Sequence, residues 1–301
     1  MKRNLRGLLL GLFAVSVVCL TMPQIYSGNA FARQEKSFLW KVRSGPVTIY
    51  LLGSLHFLKK ENYPLTPKIE EAFEEADTLV VEANINDKSR MDLEGLAERA
   101  LYPPNDNLKA HLSTETYERV KEKAAKLGIP PEIMDRQKPW LLGITIASME
   151  LLKLGYDPRY GVDRHFLGKS KQKRILELES FDSQVQLFSD LSDAEQELYL
   201  LYTMRDLKAT HQEFDHLVKL WKSGDTAGME SFLMRYPKED KRLEPAYERF
   251  FYDRNRNMAS HIEFYLKTNG TYFVVVGAGH LIGEKGIVEL LKKRGYRVEQ
   301  L

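Results

Sequence analysis

A four-residue device, Gly-x-x-His, occurs twice in the sequence, as Gly53-Ser54-Leu55-His56 and as Gly277-Ala278-Gly279-His280, and each copy follows an apolar run. The runs VTIYLL and TYFVVV read as buried strands. Each histidine is therefore expected just past a strand end, where a glycine permits positive φ or close backbone approach and lets the chain turn the imidazole back over the sheet. Glu82 closes a third apolar run, TLVVEAN. Two imidazoles and a carboxylate at one sheet edge make a three-ligand set for a divalent ion with an open position for water, the ligands being His56, Glu82 and His280. A divalent ion (Mn, Co or Zn) so held lowers the pKa of bound water toward ~7 and supplies hydroxide for attack on a carbonyl. The same residues allow a metal-free reading, in which one imidazole is a general base toward water and Glu82 orients it. One histidine at a strand end is more often a hydrogen-bonded turn residue. Repetition of the motif in matching contexts turns the reading toward chemistry.

Other stretches carry weaker signals. In DRNRNMASHIEF, Arg254 and Asn255 precede the last motif strand, either to bind substrate or to fix the approach of that strand through hydrogen bonds. In YGVDRHF, Asp163 with Gly161 starts a helix or serves as a carboxylate behind a histidine. Ser54 lacks the Gly-x-Ser-x-Gly elbow and reads as turn structure. GAGHLIG invites a dinucleotide-binding reading, but its spacing is Gly-x-Gly-x-x-x-Gly, a histidine occupies the turn, and no further strand follows Glu299. His211 and His216 are five apart and do not share a helix face, and with His111 they are expected on solvated surface. His165 and His261 lie on amphipathic segments, where a buried or half-buried structural role is expected.

The elements that hold these residues follow from periodicity. VTIYLLGSLH, TPKIEEAFEEAD and TLVVEAN form a βαβ unit with Thr66 as N-cap and Pro67 in the first turn, so its two strands should be parallel. TYFVVVGAGH, EKGIVELLKKRG and YRVEQL read as strand, helix and strand, and KRILELES as a further strand ending in Glu179. Residues 88–268 are otherwise helical, with candidates at 91–101, 114–127, 138–154, 192–221 and 241–267. The expected class is α/β: a central, mostly parallel sheet built from both ends of the chain, with a large helical insertion. Open α/β sheets bind ligands at the carboxyl ends of their strands.

The 301 residues are enough for one large α/β domain. MKRNLR, a 16-residue apolar run and Ala30-Phe31-Ala32 read as a leader over residues 1–32, with a mature chain starting near Arg33 and forming one domain over 33–301. The run is shorter than the ~20 residues of a spanning helix, and Pro23 follows it, so cleavage is favoured over a membrane anchor. Cys19 lies within this segment; Val18 before it is bulkier than the small residue that lipidation sites prefer. The expected location is the periplasm or cell envelope, without lasting membrane contact. Lys plus Arg number 44 and Asp plus Glu 42; loss of the three basic leader residues leaves the mature chain near −1, which gives no basis for nucleic-acid binding. With Cys19 removed, disulfides, thiolate catalysis and zinc–thiolate sites are excluded.

GSLH near the mature amino terminus, VVEA, GVDRHF followed by a strand ending LE, RNRNM, and GAGHLIGEKGIVELLKKRGYRVE together resemble the TraB/GumN family, over nearly all of the mature chain. The resemblance implies a fold similar to erythromycin esterase and ChaN-like haem-binding proteins. It includes the animal Tiki proteins, metal-dependent proteases acting on Wnt amino termini, and members linked to plasmid pheromone shutdown. Carried over by position, it points to His56, Glu82 and His280 as the metal or catalytic set, with Arg254 and Asn255 in support; Asp163 and Glu179 match further positions to which it assigns no role. The implied activity is an exported divalent-metal-dependent hydrolase, most readily a peptidase, acting on a peptide or other small envelope substrate. The alternative is a peptide- or haem-binding envelope protein without turnover.

Overall fold

Six short strands carry the framework: β1 (Leu39–Ser44), β2 (Val47–Ser54), β3 (Thr78–Val81), β4 (Arg174–Glu177), β5 (Thr271–Gly277) and β6 (Arg297–Gln300). They form one sheet in the order β4-β3-β5-β2-β1-β6. The computed structural model describes residues 36–87, 89, 91–204 and 207–301; the leader, the cleavage position and Cys19 lie outside the described residues. The described chain divides into two compact units, one of Ile85–Asp157 and Ser180–His211, the other of residues 36–84, Pro158–Glu179 and Gln212–Leu301.

The second unit contains the whole sheet. β4, β3, β5 and β2 run parallel, in registers that pair Val81 with Glu177 and with Val275, and Ser54 with Gly277. The strands of the βαβ unit are parallel as expected, but β5 from the carboxyl terminus lies between them. The burial of β2 explains its unbroken apolar run: Leu51, Leu52 and Ile49 have no exposed surface, as befits a strand covered on both faces. The other edge is antiparallel, β1 pairing with β2 and with β6. Sequence periodicity did not mark β1. It is made by a two-residue hairpin in which Gly45, at φ 55°, supplies the left-handed residue such turns require.

Helix Pro67–Glu75 starts after Thr66 with Pro67 in its first turn, and buries Ile69, Ala72 and Phe73. Phe73 meets Phe166 of helix Val162–Lys169 at 4.8 Å and Phe273 of β5 at 5.4 Å between ring centroids. Removing one such buried ring costs about 3–5 kcal/mol. The helix expected over 241–267 is interrupted: a π-helical turn, Glu248–Asp253, precedes helix Arg254–Tyr265. Single π turns inside helices re-aim the side chains that follow and are frequent at functional sites.

The first unit is helical. Thr114–Leu127 runs between the cap Ser113, whose hydroxyl accepts from Thr116 N–H, and Gly128 in the left-handed conformation at φ 77°. Pro139–Lys153 is buried nearly all round and packs against Asp193–Thr203. Gly143 makes that approach possible, since a Cβ there would stand 2.9 Å from the Tyr199 ring. The long helix expected over 192–221 is two helices, Asp193–Thr203 and Leu207–Lys222.

Candidate functional site

All four parallel strands end at the site. His56 lies two residues beyond β2, Glu82 one beyond β3, Glu179 two beyond β4, and Gly277 is the last residue of β5. Gly53 acts by close approach and not by positive φ: a Cβ there would lie 2.5 Å from the Phe38 ring and 3.1 Å from Ala278 Cα. Gly161 serves the same end. Its Cβ would lie 2.4 Å from the His56 carbonyl oxygen, so only glycine lets the start of helix Val162–Lys169 seat against the His56 backbone, with Val162 N–H donating to Leu55 O at 3.0 Å. That seating delivers Asp163.

His56 Nδ1 lies 2.6 Å from Asp163 Oδ2, and the Ser54 hydroxyl donates to Asp163 Oδ1 at 2.7 Å. His280, on the short helix Ala278–Leu281 and 5% exposed, has its Nδ1 2.6 Å from Asn255 Oδ1. The Asn255 amide is oriented by its own donation to Lys285 O at 2.9 Å, so its oxygen faces the imidazole. In both rings the acceptor holds the proton on Nδ1 and leaves the Nε2 lone pair for the site. Glu82 Oε1 accepts from Gly277 N–H at 2.6 Å and lies 3.7 Å from His280 Nε2. A Cβ on Gly277 would stand 3.3 Å from Glu82 Oε1, 3.4 Å from His280 Cδ2 and 3.7 Å from His56 Nε2. The three side chains therefore meet above Gly277.

Behind them, Arg254 Nη2 donates to Glu82 Oε2 at 2.8 Å, and its Nε and Nη2 grip both oxygens of Glu179 at 2.8–3.0 Å. Arg254 Nη1 donates to Phe250 O within the π-helical turn. Arg254 thus touches Glu82, and Asn255 touches His280; both act on the set through those contacts. Phe251 of the same turn lies against His280, 5.4 Å between ring centroids.

The environments divide the titratable groups. Burial opposes charge on His56, but Asp163 and then Glu82 outweigh it and raise its pKa. His280 is pulled down to about 3 by burial and by Arg254, so it stays neutral. Burial works against the Glu82 anion, yet the Arg254 cation and the Gly277 N–H hold its pKa well below the usual carboxylate range. The carboxylates of Asp163, Glu82 and Glu179 are gathered with the Arg254 guanidinium in one cluster. Carboxylates gathered in a half-buried place favour positive charge among them.

Two imine nitrogens plus a carboxylate oxygen, each backed by a hydrogen-bonded partner, are ordinary donors for a divalent cation. Among the described residues no group of three His, Cys, Asp or Glu side chains is arranged to hold a metal ion as it stands. The His280 Nε2 to Glu82 Oε1 separation of 3.7 Å compares with about 3.4 Å between two tetrahedral ligands at ~2.1 Å. The donors fit in kind, and this one pair stands a few tenths of an ångström open.

The other histidines lie elsewhere. His111 departs from the expected solvated position: it lies between Asp106, at 2.9 Å, and Asp193, at 3.1 Å, with its ring stacked on Tyr102. His165 is half-buried beside Glu70 and Tyr63, as expected, whereas His261 is exposed instead of buried or half-buried. Sequence reasoning missed the roles of Ser54, Gly161 and Phe251 here. Gly161 was detectable in GVDRHF, but its partner, the His56 carbonyl, is distant in sequence.

Among the described residues no helix is long and apolar enough to cross a membrane. No solved structure matches this chain. It is similar to uncharacterized protein YbaP of Escherichia coli (strain K12), 26% identical over 248 residues covering 81% of this chain and 87% of that protein. It is similar to metalloprotease TIKI homolog of Amphimedon queenslandica, 24% identical over 98% of this chain and 67% of that protein, and to metalloprotease TIKI2 of Xenopus tropicalis, 22% identical over 87% and 59%. The model of the TraB/PrgY/gumN family matches residues 38–300. With that match spanning the whole sheet and every residue of the site, the chain belongs to the TraB/PrgY/gumN family.

Proposed function

We propose that this protein is an exported hydrolase of the cell envelope, dependent on a divalent metal ion, that cleaves peptide bonds. The observation that carries the reading is the meeting of His56 Nε2, the His280 ring and Glu82 above Gly277, with His280 Nε2 3.7 Å from Glu82 Oε1 and each imidazole held by an acceptor on its far nitrogen. The two distant relatives named metalloproteases support the class of reaction. His56, Glu82 and His280 would hold the ion, which when bound polarises a carbonyl and activates water. Glu82, anionic at any working pH, is kept in place by Gly277 N–H and Arg254. Asn255 and Asp163 fix the imidazole tautomers, and Glu179 fixes Arg254.

The test is elemental analysis of the purified protein after incubation with Mn, Co or Zn and desalting, beside a peptide-cleavage screen by mass spectrometry. About one ion per chain is expected, with cleavage stimulated by that ion. Both are lost in folded His56→Ala and His280→Ala variants. Absence of both ion uptake and cleavage in the wild type refutes the proposal.

A second reading is favoured by the His56–Asp163 pair: His56 as a metal-free general base, with Asp163 stabilising its imidazolium as the buried carboxylate does in hydrolytic triads. Cleavage that survives exhaustive chelation and is lost in Asp163→Asn selects it.

A further inference from the structure

Ser54 is 2% exposed and ends β2 opposite Gly277 in the parallel ladder, so its backbone is held by the sheet and its hydroxyl is screened from water. Its hydroxyl donates to Asp163 Oδ1 at 2.7 Å, while Asp163 Oδ2 lies 2.6 Å from His56 Nδ1. The last torsion of an aspartate is a broad, two-fold rotor. A carboxylate tied at one oxygen only can swing its other oxygen away from the imidazole. Tied at both, it presents one fixed acceptor to Nδ1.

We propose that Ser54 is a positioning residue: its hydroxyl locks the Asp163 carboxylate, and through it the Nδ1–H tautomer of His56, so that the Nε2 lone pair faces Glu82 and His280. The inference rests on the reading of this cluster as the functional centre. Ser54 neither attacks nor touches the substrate; it has no base within the contacts of its hydroxyl other than Asp163, which is already shared with His56. The serine of the first Gly-x-x-His copy thereby differs from the alanine at the same place of the second, Ala278, where Asn255 from helix Arg254–Tyr265 holds the histidine and is itself locked by Lys285 O. Each imidazole has a partner, and each partner has a lock.

The experiment uses the purified full-length protein with ¹⁵N-labelled histidine, stripped of metal, at a pH above the titration of His56, whose signals are assigned by their loss in His56→Gln. Wild type should show His56 as a single Nδ1–H tautomer. In Ser54→Ala, whose fold is checked by circular dichroism, the Nδ1 and Nε2 signals should move toward each other as both tautomers populate, and affinity for the ion found in the wild type should fall roughly 10–100-fold, the usual cost of losing a partner behind a ligand. Ser54→Thr keeps the hydroxyl and should restore both. A single Nδ1–H tautomer with affinity within two-fold of wild type in Ser54→Ala overturns the proposal. If the wild type takes up no ion, the metal reading of the site fails separately, and the tautomer alone decides: a mixture in Ser54→Ala supports the role of Ser54, and an unchanged tautomer refutes it.

Discussion

Replacing Gly277 by alanine would put a methyl carbon 3.3 Å from Glu82 Oε1, 3.4 Å from His280 Cδ2 and 3.7 Å from His56 Nε2. The backbone accepts the change, because Gly277 sits at φ −51°, ψ 136°, a conformation open to any residue. The unfolded chain loses entropy, which stabilises by about 0.4–1 kcal/mol, and the tight approach to the carboxylate offsets a comparable amount. Net stability should stay within about 1 kcal/mol of wild type, or roughly 2–4 °C in Tm. Ligand binding should respond far more. A metal ion must come within ~2.1 Å of its donors, and a carbon already in van der Waals contact with all three side chains occupies the space they share. A loss of at least about 100-fold in affinity, roughly 2.7 kcal/mol, is expected for the ion or for a substrate bound there. Thermal denaturation and isothermal titration, with the peptide-cleavage assay alongside, measure the two effects on one sample. Unchanged binding and cleavage in a folded Gly277→Ala protein would refute the placement of the reacting centre above this glycine.

Arg254→Met leaves Glu82 and Glu179 facing each other with side chains only 12% exposed; chemical denaturation at neutral pH should show a loss of about 3–5 kcal/mol, and a loss under 1 kcal/mol would mean that the carboxylates relax into water. Glu213, 4% exposed and 3.2 Å from Arg235, has its pKa pushed up to about 7 by burial against the pull of Arg235. A raised acid favours the folded state fully below its unfolded value of 4.5 and loses that contribution as pH rises through 7, a change of at most about 3 kcal/mol. Glu213→Gln should flatten the stability–pH curve between those values, and an unaltered curve tells against it. For His111, burial lowers the pKa but hydrogen bonds to Asp193 and Asp106 raise it overall. The cation-dependent contribution is complete below the model-peptide value near 6.5 and disappears as pH rises through the elevated folded value. Stability of His111→Gln should converge on that of wild type at alkaline pH, which urea titrations at pH 5 and 9 would check.

Legibility in the sequence followed the range of the interaction. The strands ending at His56, Glu82 and Gly277, and the helix begun by Thr66 and Pro67, were readable because burial on both faces demands an apolar run and a helix start demands local chemistry. The repeated Gly-x-x-His pointed to the strand ends of the candidate site, and DRNRNMASHIEF before the last motif strand, together with the family pattern, to Arg254 and Asn255. β1 was not readable: LWKVRS carries no unbroken apolar run, and the hairpin through Gly45 and its pairing to β6 at the far end of the chain make it a strand. The π-helical turn before Arg254 likewise left no periodic trace.

What the sequence by itself determined was the inventory: two imidazoles and a carboxylate at strand ends, each strand specified by its own hydrophobic pattern. Only the tertiary structure decided the pairing, setting Asp163 behind His56, Asn255 behind His280, and Arg254 between Glu82 and Glu179. Hydrophobic periodicity is a property of neighbouring residues and is written in the chain. A hydrogen bond between residues 107 positions apart, as between His56 and Asp163, depends on how the strands are ordered and on how closely Gly161 lets a helix approach. The hydrogen-bond partners of each histidine, and with them the ring nitrogen left facing the cluster, are decided at that level.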